Sequence, residues 1–97
     1  MALCAVQGDP NSDGGGELIA SNPQSVFIGG IPITELGMTG AAADSLCPIP
    51  GGAHCAPAPA SASSNVFVYG NPVHRDGDSR TCGAVTNVYN QSTVFAN

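Results

Sequence analysis

The chain has 97 residues, enough for one small domain. Leu, Ile, Val and Phe together number only 20, and 13 of the remaining hydrophobic residues are Ala, so the core is thin. Charged residues make up 9%, there is no Lys, and Arg75 and Arg80 are the two cations against seven acids, a net charge of −5. Two cations cannot hold a phosphate backbone, which excludes nucleic acid as a partner. No apolar run approaches the roughly 20 residues of a membrane span. The start, MALCAVQGDP, lacks the charged and apolar regions of a signal peptide, so the chain is expected to be made in the cytoplasm.

In chain order, the first recognisable unit is GDPNSDGGGE at residues 8–17. It has neither the Lys-Ser/Thr of a phosphate-binding loop nor the spacing of an EF-hand, and it reads as a turn. The next, VFIGGIPITELGM at 26–38, aligns without gaps with VFVYGNPVHRDGD at 66–78. Val-Phe, Gly30/Gly70, Pro32/Pro72 and Gly37/Gly77 coincide. A third copy is split between the chain ends. Gly8-Asp9 repeats Gly77-Asp78, and Ser92-Thr93-Val94-Phe95 repeats Ser25-Val26-Phe27. In each copy a short β-favouring run precedes a reversal, which glycine permits in the two uninterrupted copies, and a hairpin is expected. Only Thr39 to Leu46 leaves room for a helix. The fold class expected is all-β: short hairpins with pseudo-threefold symmetry in one domain over 1–97, with the repeated Val-Phe pairs expected to fill the interior.

The middle copy is enlarged by the Pro/Ala/Ser-rich stretch 41–64, which carries Cys47, His54 and Cys55. Cys4 and Cys82 bring the cysteines to four, and His74 is the second histidine. In a reducing cytosol disulfides are rare, so mixed Cys/His ligation of a metal is favoured over a disulfide framework. Asp13 and Cys82 stand at equivalent points, each four residues beyond a Gly-Asp and each followed by Gly, and Cys47 is assigned to the same point in the middle copy. Copies arranged about a threefold axis would bring such points together.

The ordered set Gly8-Asp9…Asp13-Gly14, Val26-Phe27-Ile28-Gly29-Gly30-x-Pro32, Cys47-Pro48-x-x-Gly51-Gly52-x-His54 and Pro72-Val73-His74-x-x-Gly77-Asp78-x-x-Thr81-Cys82-Gly83 resembles the PAAR-repeat proteins. The resemblance covers essentially the whole chain, and it implies a small cone of β-hairpins with a metal-stabilised tip. It implies a non-enzymatic tip that caps the trimeric β-helical spike of a contractile phage tail or type VI secretion system, one tip per trimer, touching the target-cell membrane transiently. It also implies one structural zinc ion near the vertex, bound typically by three His and one Cys. His54 and Cys82 match ligand positions, and His74 lies near a third. Asp13 stands where the family's first His is expected, which leaves the fourth ligand open among Cys4, Cys47, Asp13 and Cys55. The alternative reading is a zinc-binding adaptor that attaches an effector to the spike.

Overall fold

Each strand is two residues long, so cross-strand closure rather than strand length organises the chain. The structure, a computed structural model, describes residues 2–20, 26–37, 39–47 and 53–97. Met38 and the Pro48, Gly51 and Gly52 positions of the Cys-Pro-Gly stretch lie outside them. The strands are β1 (Ala2–Leu3), β2 (Leu18–Ile19), β3 (Phe27–Ile28), β4 (Ile31–Pro32), β5 (Gly40–Ala41), β6 (Phe67–Val68), β7 (Asn71–Pro72) and β8 (Phe95–Ala96). All pairings are antiparallel: β3 with β4, β6 with β7, β1 with β8, and β2 with β5. The architecture is all-β, with one 3-10 turn at Ala53–Cys55. The stretch considered for a helix, Thr39 to Leu46, instead holds β5 and a bridge from Asp44 to Gly15, because Gly40 and the adjoining turn favour extension over a coil.

The threefold repeat is carried by the backbone. Phe27 faces Pro32, Phe67 faces Pro72, and Phe95 faces Leu3 in the same register. The third hairpin is therefore built from the two chain ends. Three segments follow the hairpins: Cys4–Val6, Ile33–Glu35 and Val73–Arg75. Each bridges the other two, through Cys4–Arg75, Val6–Ile33 and Glu35–Val73. Their central residues close a ring of hydrogen bonds. Ala5 N donates to His74 O (2.9 Å), His74 N to Thr34 O (3.1 Å), and Thr34 N to Ala5 O (3.1 Å). A second cycle surrounds it, with Gln7 N, Leu36 N and Asp76 N donating to Pro32 O, Pro72 O and Leu3 O.

The turn after each segment is tied by a side chain at its end. Asp9 accepts from Val6 N, Asp78 accepts from Arg75 N, and Thr39 does the same for Glu35 N. The main apolar cluster follows the same symmetry. Cys4, Ile33 and Val73 form one equivalent set, and Ala96, Ile28 and Val68 form another. The molecule measures 34 × 24 × 24 Å, one long axis and two equal short ones.

The Val-Phe pairs do not fill the interior. Phe27, Phe67 and Phe95 are 51%, 54% and 48% exposed, and Val26, Val66 and Val94 are exposed as well. The pleat explains the difference. In a two-residue strand only one side chain can point inward, and Ile28, Val68 and Ala96 take that place. The hairpin turns also differ from one another. Gly29 and Gly30 have φ of 58° and 83°, whereas the equivalent pair is Tyr69 and Gly70 at 54° and 79°. These are the positive φ values of a type I′ turn. For a residue with a Cβ, that conformation costs roughly 1–2 kcal/mol.

The open third hairpin generates a prediction. Ala96 and Ala2 pair as Ile28 and Ile31 and as Val68 and Asn71 do, so Asn97 holds the place of Gly29 and Tyr69 in the closed hairpins. Joining Asn97 to residue 1 with Met1→Gly creates an Asn-Gly turn, which favours type I′. A permutant so closed, with new ends between Gly29 and Gly30, is expected to fold. Its melting temperature should lie within the roughly 4–8 °C that about 1 kcal/mol represents for a domain of this size. Calorimetry checks this, and a permutant that stays unfolded contradicts the threefold equivalence.

Candidate metal centre

Beyond the first ring the three copies close a second one, from segments 10–12, 43–45 and 79–81. Asn11 N donates to Gly15 O, Arg80 N to Ala84 O, and Asp44 N to His54 O. Ser12 N, Thr81 N and Ser45 N reach across to Val85 O, Ala58 O and Gly14 O. Asn11, Asp44 and Arg80 are thus equivalent residues, and all three are buried. Apolar side chains would be ordinary at such positions, and polar ones must satisfy each other.

Asn11 and Asp44 use one oxygen alike. Each Oδ1 accepts from the backbone N two residues on, Asp13 N at 3.1 Å and Leu46 N at 2.9 Å. Their remaining atoms meet, with Asn11 Nδ2 donating to Asp44 Oδ2 at 3.0 Å. Arg80 donates to four oxygens: Thr86 Oγ1 (2.5 Å), Gly16 O (2.8 Å), Pro57 O (2.8 Å) and Asp9 O (3.2 Å). One guanidinium therefore ties residues from all three copies together. Burial lowers its pKa, while the charges of Cys82, Asp9, Asp44 and Glu17 act in the opposite sense.

Around Asp44 the chain gathers Asp13, His54 and Cys82, with one ligand-capable atom of each within 4.8 Å of the others. His54 Nδ1 lies 2.9 Å from Asp44 Oδ2 and 3.4 Å from Asp13 Oδ2. Cys82 Sγ lies 3.7 Å from Asp44 Oδ2 and 3.9 Å from Asn11 Nδ2. Burial pulls the Asp44 carboxyl pKa upward, but hydrogen bonds from His54, Asn11 and Leu46 N outweigh it and hold the group at about 2. The donors are one nitrogen, one sulfur and carboxylate oxygens. A tetrahedral zinc with ligands at about 2.0–2.3 Å has ligand-to-ligand edges of about 3.3–3.8 Å. The separations from His54 to Asp13 and from Cys82 to Asp44 fall in that range, whereas the 2.9 Å from His54 to Asp44 is a hydrogen bond that an ion would have to open, so it is the donor set more than the spacing that suits zinc.

Of the residues singled out from sequence, the structure brings together His54, Cys82 and Asp13. Four others are placed elsewhere. His74 belongs to the first ring and is fully buried, with Nδ1 2.8 Å from Ser61 O and Nε2 2.6 Å from Thr86 Oγ1. Both of its ring nitrogens are already engaged. Cys4 is a core residue of the first cluster, and burial raises its thiol pKa. Cys47 and Cys55 are joined in a disulfide, which corrects the expectation of reduced thiols and removes both from the ligand set. The bond closes the ends of the loop that delivers His54. Cys47 is also one residue out of the assigned register. Its N donates to Asp44 O as Gly14 N does to Asn11 O and Gly83 N to Arg80 O, so Leu46 is the true equivalent of Asp13 and Cys82.

Asp44 was the residue missed. Its signal was available two residues before Leu46, in the place Asn11 holds before Asp13, and the misplaced Cys47 register concealed it.

The geometry agrees with a match to a known family. The sequence profile of the PAAR motif covers residues 7–86, and the chain belongs to that family. Its members are structural proteins that sit at the spike tip of contractile injection systems, in secretion machines or phage tails. A comparison with curated proteins gives no match.

Burial of His74 carries a pH consequence. Burial is the largest influence and pushes its pKa below the ordinary 6.5. The unfolded chain then binds more protons near pH 6 than the folded chain. Stability tied to His74 is present above about pH 6.5 and is lost as pH falls below it, by at most about 1.4 kcal/mol per unit. With the metal site loaded equally in both proteins, His74→Gln should be less stable than wild type at pH 7.5 yet lose less stability on going to pH 5.5. Urea midpoints at the two pH values check this, and parallel losses contradict it.

Proposed function

We propose that the chain is a single PAAR-like domain, 1–97, that caps a trimeric β-helical spike with one tip per trimer and carries one structural zinc ion at its vertex. The observation that carries this reading is the threefold backbone closure with three matched, exposed Val-Phe pairs beside the hairpins. A lone chain with such a surface can meet three identical subunits at once, so one copy covers all three exposed strand ends. Each arm runs from its hairpin through the first ring and the second ring to the ligand cluster. The apolar surface and the cluster therefore belong to opposite ends of that path, base and vertex.

Asp13, His54, Cys82 and Asp44 would hold the ion, with Asn11 donating to Asp44 from behind. Zinc there would supply cross-linking between copies and no chemistry. The vertex enters the target membrane transiently, driven by the machine, and the chain itself catalyses nothing in this reading. A closed metal site gives rigidity where two-residue strands cannot.

Two measurements test the proposal. A structural zinc site contributes on the order of 10 kcal/mol in small domains, comparable with the roughly 5–15 kcal/mol total stability of a domain. Chelation should therefore unfold the chain or lower its melting temperature sharply. Elemental analysis should give about one zinc per chain in wild type and in His74→Gln, and a small fraction of that in Cys82→Ser and His54→Ala. An unchanged melting temperature after complete demetallation contradicts the structural metal. Native mass spectrometry with the trimeric spike should show one chain per trimer, and three chains per trimer contradicts the cap.

A further inference from the structure

The three corners of the base are not alike. One hairpin turns through Gly29-Gly30, one through Tyr69-Gly70, and the third is formed by the paired chain ends. Tyr69 is the only residue other than glycine with positive φ among the described residues, and it is 62% exposed. The equivalent Gly29 shows that glycine suits this position at no conformational cost. A bulky, largely exposed aromatic side chain is thus held in a disfavoured backbone conformation at the surface. Backbone strain of this kind clusters at ligand clamps and other functional sites. Tyr69 stands two residues from the exposed Phe67, at the end of the same hairpin.

We infer that Tyr69 is an anchor for one subunit of the trimeric partner, so that a threefold partner meets an apolar base whose strongest contact is made once. The inference rests on the capping reading above. The occupant is a protein end with threefold symmetry, because exposure of the Val-Phe pairs repeats three times to within a few per cent. Tyrosine supplies large, amphipathic contact area and is enriched among residues that dominate interfaces. The other two subunits meet the bare Gly29-Gly30 corner and the corner of the chain ends. A Cβ at Gly29 would meet no atom within 4 Å, and its φ of 58° is close to that of Tyr69, so the glycine corner has room for the same side chain.

The experiment compares wild type, Tyr69→Gly and Gly29→Tyr for thermal stability and for affinity towards the purified trimeric spike of the same injection machine. Tyr69→Gly is expected to melt at or above the wild-type temperature, because the strain is relieved, while binding at least tenfold more weakly. Gly29→Tyr is expected to melt slightly lower and bind more tightly, because a second subunit gains the contact. A Tyr69→Gly variant that binds within twofold of wild type overturns the inference while leaving the cap intact. Failure of wild type itself to bind the trimer overturns both.

Discussion

Three backbone hydrogen bonds around one axis, from Ala5 to His74, His74 to Thr34 and Thr34 to Ala5, hold together everything else in this chain. Among the described residues no strand exceeds two residues and the apolar clusters are small. Local propensity could not sustain any one hairpin alone. The ring makes each copy the sheet neighbour of the other two, so each segment is satisfied only when all three are present. Its bonds join residues 29 to 69 positions apart, and closure must overcome the entropy of bringing distant segments together. A stable outcome then requires that little else be unsatisfied. Among the described residues no buried side-chain nitrogen or oxygen lacks a partner.

Polar groups therefore do work that a larger domain assigns to hydrophobic packing. Arg80, Thr86 and His74 form a connected set beneath the surface, with Thr86 Oγ1 meeting both the His74 ring and the Arg80 guanidinium. Asp9 accepts from Val6 N, Tyr89 N and Asn90 N, tying the first turn to the far end of the chain. Such a network is costly when half satisfied and specific when complete. It explains how so few bulky apolar residues define one arrangement.

The sequence revealed the repeat because Val-Phe, Gly and Pro recur at matching spacing, and it revealed that the third copy is split between the ends. It could not show which member of Val-Phe-Ile or Val-Phe-Val faces inward, since a two-residue strand has no alternation to read. His74 was drawn towards the metal by its residue type, whereas its place at the centre of a ring segment commits it to the interior. Equivalent residues Ala5 and Thr34 at the same point were the available warning. An argument about compartment favours metal ligation over disulfides, and for one pair proximity decides otherwise: the Cα atoms of Cys47 and Cys55 are 4.9 Å apart.

The metal site proposed for this scaffold faces a mismatch, because three equivalent positions do not make four ligands. The positions are Asp13, Leu46 and Cys82, and leucine cannot ligate. The second ring shows how the middle copy compensates. Its NH at Asp44 is accepted by His54 O, where the other copies use Gly15 O and Ala84 O only four residues on. The longer loop of the middle copy thus brings an imidazole into the sector that Leu46 leaves vacant, and the Cys47–Cys55 disulfide closes the extra length. The fourth donor comes from Asp44 itself, a ring residue whose equivalents are Asn11 and Arg80. These two do not compete for the ion. Asn11 donates a hydrogen bond to Asp44, and Arg80 places a cation near Asp44 and Cys82. In the proposed cap, the departure from symmetry at the vertex answers a fourfold coordination, whereas the threefold Val-Phe pattern of the base matches a partner that repeats three times.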